Sequence, residues 1–245
     1  VSNLFPQWTN LIPTAAAVGL GFGSVAVVVG TWYYATPDYM EVGYMPTQPV
    51  DYSHQIHAGK LGMDCRYCHS HVEESYVSNV PDTATCMNCH TGDDTTAYLN
   101  SDLWKAHKVN KSLSIVRTAF EETAPIEWRK VHKLPDYAHF PHAAHVNAGV
   151  SCYSCHGRID QMPVVYQTQG LGMGWCLDCH RAPEKHLVDV DGLLASGKAG
   201  EAKVRITDLD RIANLLGSEE QKKRGAELAE QRQIEPPQHC GACHY

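Results

Sequence analysis

The sequence predicts a mostly α-helical chain with extensive loops and one membrane-spanning helix at its N-terminal end. Three observations predict it. From Val1 to Pro37 there is no Asp, Glu, Lys or Arg. No stretch alternates apolar and polar residues as a half-buried strand does. Finally, one short motif, Cys-x-x-Cys-His, recurs five times and accounts for all ten cysteines.

The N-terminal run comes first. Leu11 to Ala35 is mostly Ala, Val, Gly and Leu. A helix of about 24 residues rising about 1.5 Å per residue crosses a hydrocarbon core of about 30 Å. Trp8 and Trp32-Tyr33-Tyr34 stand where an aromatic belt would lie at the two interfaces. The alternative is a signal peptide, but neither its basic n-region nor its small-residue cleavage site is visible here, so an anchor is expected. Residues 1–36 are therefore read as a membrane anchor, and 36–50 as a Pro/Gly/Tyr-rich connector leaving the membrane.

Beyond it, two stretches resemble each other. His54-x-x-His57 precedes Cys65-Arg-Tyr-Cys68-His69, followed by Cys86-Met-Asn-Cys89-His90. His142-x-x-His145 precedes Cys152-Tyr-Ser-Cys155-His156, followed by Cys176-Leu-Asp-Cys179-His180. This self-similarity predicts a duplicated two-motif module, with residues 37–135 as the first copy plus connector and 136–190 as the second. Residues 191–245 hold a charged segment, Ile206 to Gln233, with Leu209, Ile212, Leu215 and Leu216 at helical spacing. Pro236-Pro237 ends that helix before the fifth motif, Cys240-Gly-Ala-Cys243-His244.

Cys-x-x-Cys-His is the attachment signature of c-type haem. Its thiols form thioethers to the porphyrin and its histidine ligates the iron from the proximal side. Zinc half-sites and redox dithiols use the same cysteine spacing, but neither needs histidine at that fixed place every time. Five covalently bound haem c groups are thus expected, with His69, His90, His156, His180 and His244 as proximal ligands. The porphyrins would supply much of the apolar core. Covalent attachment takes place outside the cytoplasm, which puts these motifs on the periplasmic side.

Fifteen histidines less five proximal ones leave ten, more than a surface of this size needs. His54 and His57, like His142 and His145, lie three apart, so on a helix they share a face and diverge enough to reach two irons. These four are the expected distal ligands. The fifth distal ligand stays open among His132, His186, His107 and His139 and the thioethers of Met162 and Met173. A methionine would raise that haem's potential. The formal charge of −7 speaks against nucleic acid as a partner.

The run Asp51-Tyr-Ser-His54-Gln-Ile-His57 through Cys65 to His69 resembles the start of the pentahaem subunit of alternative complex III, of the wider c7-like multihaem class. So do Trp128-Arg-Lys-Val-His132-Lys-Leu-Pro135, Phe140-Pro-His142-Ala-Ala-His145, and Met173-Gly-Trp-Cys176 through Arg181. The similarity covers most of residues 1–186. It implies an electron-transfer subunit of a bacterial quinol-oxidising complex in the cytoplasmic membrane, conducting without being a catalyst on its own. The implied partners are membrane and iron–sulfur subunits, often a monohaem cytochrome c, and a periplasmic acceptor. Mostly bis-histidine ligation is implied as well. Two alternatives come from other classes: a stand-alone membrane-anchored quinol dehydrogenase feeding a periplasmic reductase, and a catalytic multihaem enzyme. The latter needs an open iron site, and five regular motifs with abundant histidines do not point to one.

Overall fold

The structure, a computed structural model, describes residues 5–90, 111–189 and 205–244. A 3-10 turn, Gln7–Leu11, runs straight into helix α1, Ile12–Tyr34. At about 1.5 Å per residue its 23 residues reach about 35 Å, enough to cross a bilayer core. None of its side chains is buried against the protein. An apolar helix exposed on every side is what lipid, rather than a protein core, would cover.

Among the described residues there are no strands, only isolated bridges between Ala138 and His244 and between Val150 and Leu187. Apart from single helical turns, the remaining described helices are short: α2 (Thr83–His90), α3 (Lys111–Glu121), α4 (His142–Ala148), α5 (Met173–Arg181), α6 (Leu209–Leu215) and α7 (Glu219–Gln231). Gly149 ends α4 in the left-handed conformation (φ 96°), and the Val150 N–H turns back to the His145 carbonyl at 3.0 Å. A side chain at 149 would also press on the Val188 carbonyl, so glycine is required there twice over.

The segment expected as one helix from Ile206 to Gln233 is two. Gly217 adopts φ 90° and Ser218 caps α7, its Oγ accepting from the Gln221 N–H at 3.1 Å. Ser218-Glu-Glu-Gln221 has the spacing of a capping box, but the Gln221 amide does not fold back onto the cap. It reaches across to donate to the carbonyls of Glu184 (3.0 Å) and Leu187 (2.8 Å). Gly225 of α7 lies directly on the Glu184 carbonyl.

Among the described residues the apolar interior is small. Val50, Met87 and Val116 form one cluster, with Cys86, Ile126 and Trp128 against it. Leu187, Leu209, Ile212 and Leu228 are the other most deeply buried aliphatic side chains in the region that α6 and α7 cover. Hydrogen bonds between distant segments do much of the joining. Gln48 and Arg129 are paired through two bonds, and the Asn147 amide donates to the Glu73 carbonyl.

Gly225→Val should strain the α7 contact and destabilise the protein by about 1–3 kcal/mol. A thermal melt followed by circular dichroism should show the lower midpoint, with haem content unchanged.

Candidate haem-binding sites

Each cysteine motif sits on one turn of helix. The turns are Cys65–Cys68, the end of α2, Cys152–His156, the middle of α5, and Cys240–Cys243. A helical turn brings residues three apart to the same face, so the two thiols of a motif point together. The turns are capped locally. The Asp64 carboxylate accepts from the Arg66 N–H at 3.0 Å, and Ser151 Oγ accepts from the Tyr153 N–H at 3.2 Å. Burial holds the Cys68, Cys86, Cys176 and Cys179 thiols above their usual range and pushes Cys155 up to about 12. Cys152 departs from this pattern: a hydrogen bond with the Cys65 thiol of the first motif holds it below its usual range and raises Cys65.

The imidazoles are held by their Nδ1 atoms. That of His57 meets the Ser53 carbonyl at 2.9 Å, and that of His69 meets the Asn79 carbonyl at 2.6 Å. The Nδ1 atoms of His142 and His145 meet the carbonyls of Tyr76 and Pro141, each at 2.9 Å. His180 meets Pro237 at 2.7 Å and His244 meets Tyr137 at 3.3 Å. A carbonyl can only accept, so in each case Nδ1 carries the hydrogen and Nε2 keeps its lone pair. This is how metal-ligating histidines are oriented.

Two histidine pairs lie close together, with ring planes 66° and 42° apart. His57 and His90 have ring centroids 6.2 Å apart, and His145 and His180 have theirs 6.1 Å apart. Imidazole–metal bonds of about 2 Å on opposite sides of one ion would put two ring centroids about 6 Å apart. Both pairs match that spacing, and each joins a member of a His-x-x-His element to the proximal histidine of the second motif in its own module.

The two His-x-x-His elements also share an aromatic neighbour that their histidine spacing alone does not reveal. The Tyr52 ring stacks on His57 (4.5 Å, 20°) and meets His54 edge-on (4.9 Å, 87°). Phe140 repeats this with His145 (4.5 Å, 30°) and His142 (4.9 Å, 85°). Each aromatic stands two residues before the first histidine, a signal that aligning the two copies would have exposed. The local backbone nevertheless differs. His57 sits in a π-helical turn, Gln55–Lys60, and His145 in the α-helix α4.

These groups open on one continuous cavity of about 2360 Å³, lined by cysteines of the first four motifs and by His54, His57, His69, His90, His142, His145 and His156. Ordinary small-molecule sites occupy about 300–1,000 Å³, so the space suits several large groups. Burial lowers the His54 imidazole to about 4 and that of His156 to about 3, keeping both neutral and able to ligate. His54 Nδ1 is buried without a hydrogen-bond partner, a cost that a bound group offering an acceptor removes. Among the described residues no cluster of three or more His, Cys, Asp or Glu could hold a bare metal ion. The His57–His90 and His145–His180 pairs would suit an iron that draws its other ligands from a porphyrin.

The candidates for the fifth distal ligand separate. His132 lines the cavity, and burial lowers it to about 4; its Nε2 lies 3.3 Å from His156 Nδ1, with ring centroids 4.3 Å apart. His139 also lines the cavity and donates its N–H to the Cys243 carbonyl at 2.8 Å. Met162 is buried and Met173 is exposed, and neither lines the cavity; nor does the half-buried His186. His107 lies outside the described residues.

His57→Ala and His145→Ala should each turn one haem high-spin while leaving it attached, and the double variant should turn two. Low-temperature electron paramagnetic resonance reads this directly. A double variant no different from either single one would break the assignment of the two histidines to separate irons.

No family model matches the chain. The multiheme cytochrome c subunit of menaquinone reductase from Nitratidesulfovibrio vulgaris is 30% identical over 183 residues, 66% of this chain and 79% of that protein. That likeness and the repeated attachment turns lead to one conclusion: the chain belongs to the multihaem cytochrome c family of that subunit and is a carrier of covalent haem c.

Proposed function

We propose that this chain is the electron-transfer subunit of a membrane complex that reacts with quinone, of the alternative complex III kind, and that it carries five haems. The observation that carries the proposal is the set of six imidazoles locked by carbonyls, together with two ring pairs at about 6 Å. Haem c would supply the one-electron iron couple. The residues do the rest. Cys65 and Cys68, Cys86 and Cys89, Cys152 and Cys155, Cys176 and Cys179, and Cys240 and Cys243 tether the five groups. His69, His90, His156, His180 and His244 ligate from the proximal side. His57 completes the site of His90, and His145 that of His180. His54 and His142 serve the first and third motifs, and the remaining site takes its ligand from the segment holding His132 and His139. Tyr52 and Phe140 keep the distal rings from turning. Irons held by these imidazoles would exchange electrons without leaving a position for substrate, so conduction is favoured over catalysis.

Residues 1–36 would cross the membrane once, with the haem-bearing remainder on the periplasmic side. Residues 37–135 and 136–190 form the two duplicated modules, and 191–245 bring the fifth motif. The partners would be the membrane and iron–sulfur subunits of the complex, a monohaem cytochrome c and a periplasmic acceptor.

A second reading concerns direction. The relative's name assigns it to quinone reduction, so electrons in this chain would run toward the membrane rather than away from it. Bis-histidine irons conduct both ways, and relative potentials choose. Pyridine haemochrome analysis should return five haems per chain; two or three would sink the proposal. In native membranes, a quinol should reduce the haems faster than reduced haems reduce the quinone if electrons flow outward. The reverse ratio favours the second reading.

A further inference from the structure

We infer that the five attachment motifs stand in single file in the order second, first, third, fourth, fifth, with the fourth fastened to the end of the membrane helix. This rests on the reading of the motifs as haem sites and of α1 as an anchor.

Each step of the file is a hydrogen bond between motifs or through the residues that cap or flank them. The second motif reaches the first where the Asn88 amide donates to the Tyr67 hydroxyl at 3.3 Å. The first and third are stapled through their caps by two consecutive residues. Thr207 Oγ1 donates to Asp64, the cap of the first motif, at 2.8 Å, and the Ile206 carbonyl accepts from Ser151, the cap of the third, at 2.8 Å. The third joins the fourth through Thr168, whose hydroxyl donates to the Cys155 carbonyl at 3.2 Å, five residues before α5 begins. The fourth meets the fifth where His180 Nδ1 donates to the Pro237 carbonyl.

The strap from Gln167 to Gly172 also fixes which part of the file faces the membrane. The Gly43 N–H donates to the Gln167 carbonyl at 2.7 Å, and the Gln167 N–H donates to the Tyr44 carbonyl at 3.1 Å. Gln167 is buried, and its amide reaches Glu41 at 3.2 Å. Gly170 is pressed against Asp38 and Gly172 against Pro37, so side chains there would push the two segments apart. Asp38 is four residues past the end of α1, at most about 14 Å of chain. Gly172 caps α5, and Cys176 is four residues in, about 6 Å along the helix. Around this clamp Met40 and Met173 are 68% and 67% exposed, an apolar collar suited to the bilayer interface.

The order along the chain is therefore not the order in space. The quinone-reacting partner would exchange electrons at the fourth and fifth positions. The path outward then runs through the third and the first to the second, where the extracytoplasmic partner docks. Each step moves one electron, oxidising one iron as it reduces the next, and no other bond changes.

The test uses the full holoprotein in vesicles containing a lipid with a gadolinium chelate on its headgroup. His145→Met marks the haem of the fourth motif by its shifted spectrum and potential, and His57→Met marks that of the second. The fourth should show the larger gadolinium-induced relaxation enhancement in electron paramagnetic resonance, and the second the smallest of all. Gly170→Val keeps every proposed ligand and should reduce the enhancement at the fourth. A second-motif haem relaxed as strongly as the fourth overturns the inference, and so does an unchanged enhancement in Gly170→Val. A haem count below five in the same samples would instead overturn the reading of the motifs.

Discussion

The hydrogen bond from a histidine Nδ1 to a main-chain carbonyl is the constraint on which the rest of this structure depends. It decides which nitrogen carries the proton, and it fixes the plane and direction of the ring. Six histidines are held this way, by carbonyls as far apart in sequence as Pro237 is from His180 and Tyr137 is from His244. Because the acceptors are main-chain atoms, the loops must be placed accurately even where their side chains are unremarkable. That need accounts for the many cross-segment bonds in a chain with so little regular structure.

Among the described residues few aliphatic side chains are deeply buried, so packing between side chains contributes little of their cohesion. The buried clusters lie at the margins of the cavity, around Val50 and Met87 and beneath α6 and α7. The centre is lined by thiols, imidazoles and the rings of Tyr52 and Phe140. Such a centre suits large flat apolar groups tethered in place, and the polar network around it sets their orientation. Asp64 illustrates the coupling. Burial alone would raise its carboxyl, but hydrogen bonds from Arg66 and Thr207 hold it down at about 2. A charged cap on the first motif is thereby kept next to the segment that also holds the third.

The two modules share a design without sharing a backbone. Tyr52 and Phe140 present nearly the same ring geometry to their histidines. One element is nevertheless a π-helical turn and the other an α-helix. What the two elements have in common is the placement of imidazole and aromatic planes.

The amino-acid sequence alone determined the features whose chemistry is local. A charge-free run long enough to cross a bilayer, two thiols and a histidine on a single turn, and histidines three apart all act within a few residues of themselves. The reading of one long helix from Ile206 to Gln233 passed over the Ser218-Glu-Glu-Gln221 cap, at which the structure divides it. Only the tertiary structure decided the pairing of His57 with His90 and of His145 with His180, and the return of the fifth motif to the side of the fourth. It also decided the stapling of the first motif to the third through Ile206 and Thr207. The physical reason is common to all of these. They depend on carbonyls and amides that every residue carries, brought together across tens of residues, and such contacts leave no mark in composition or spacing.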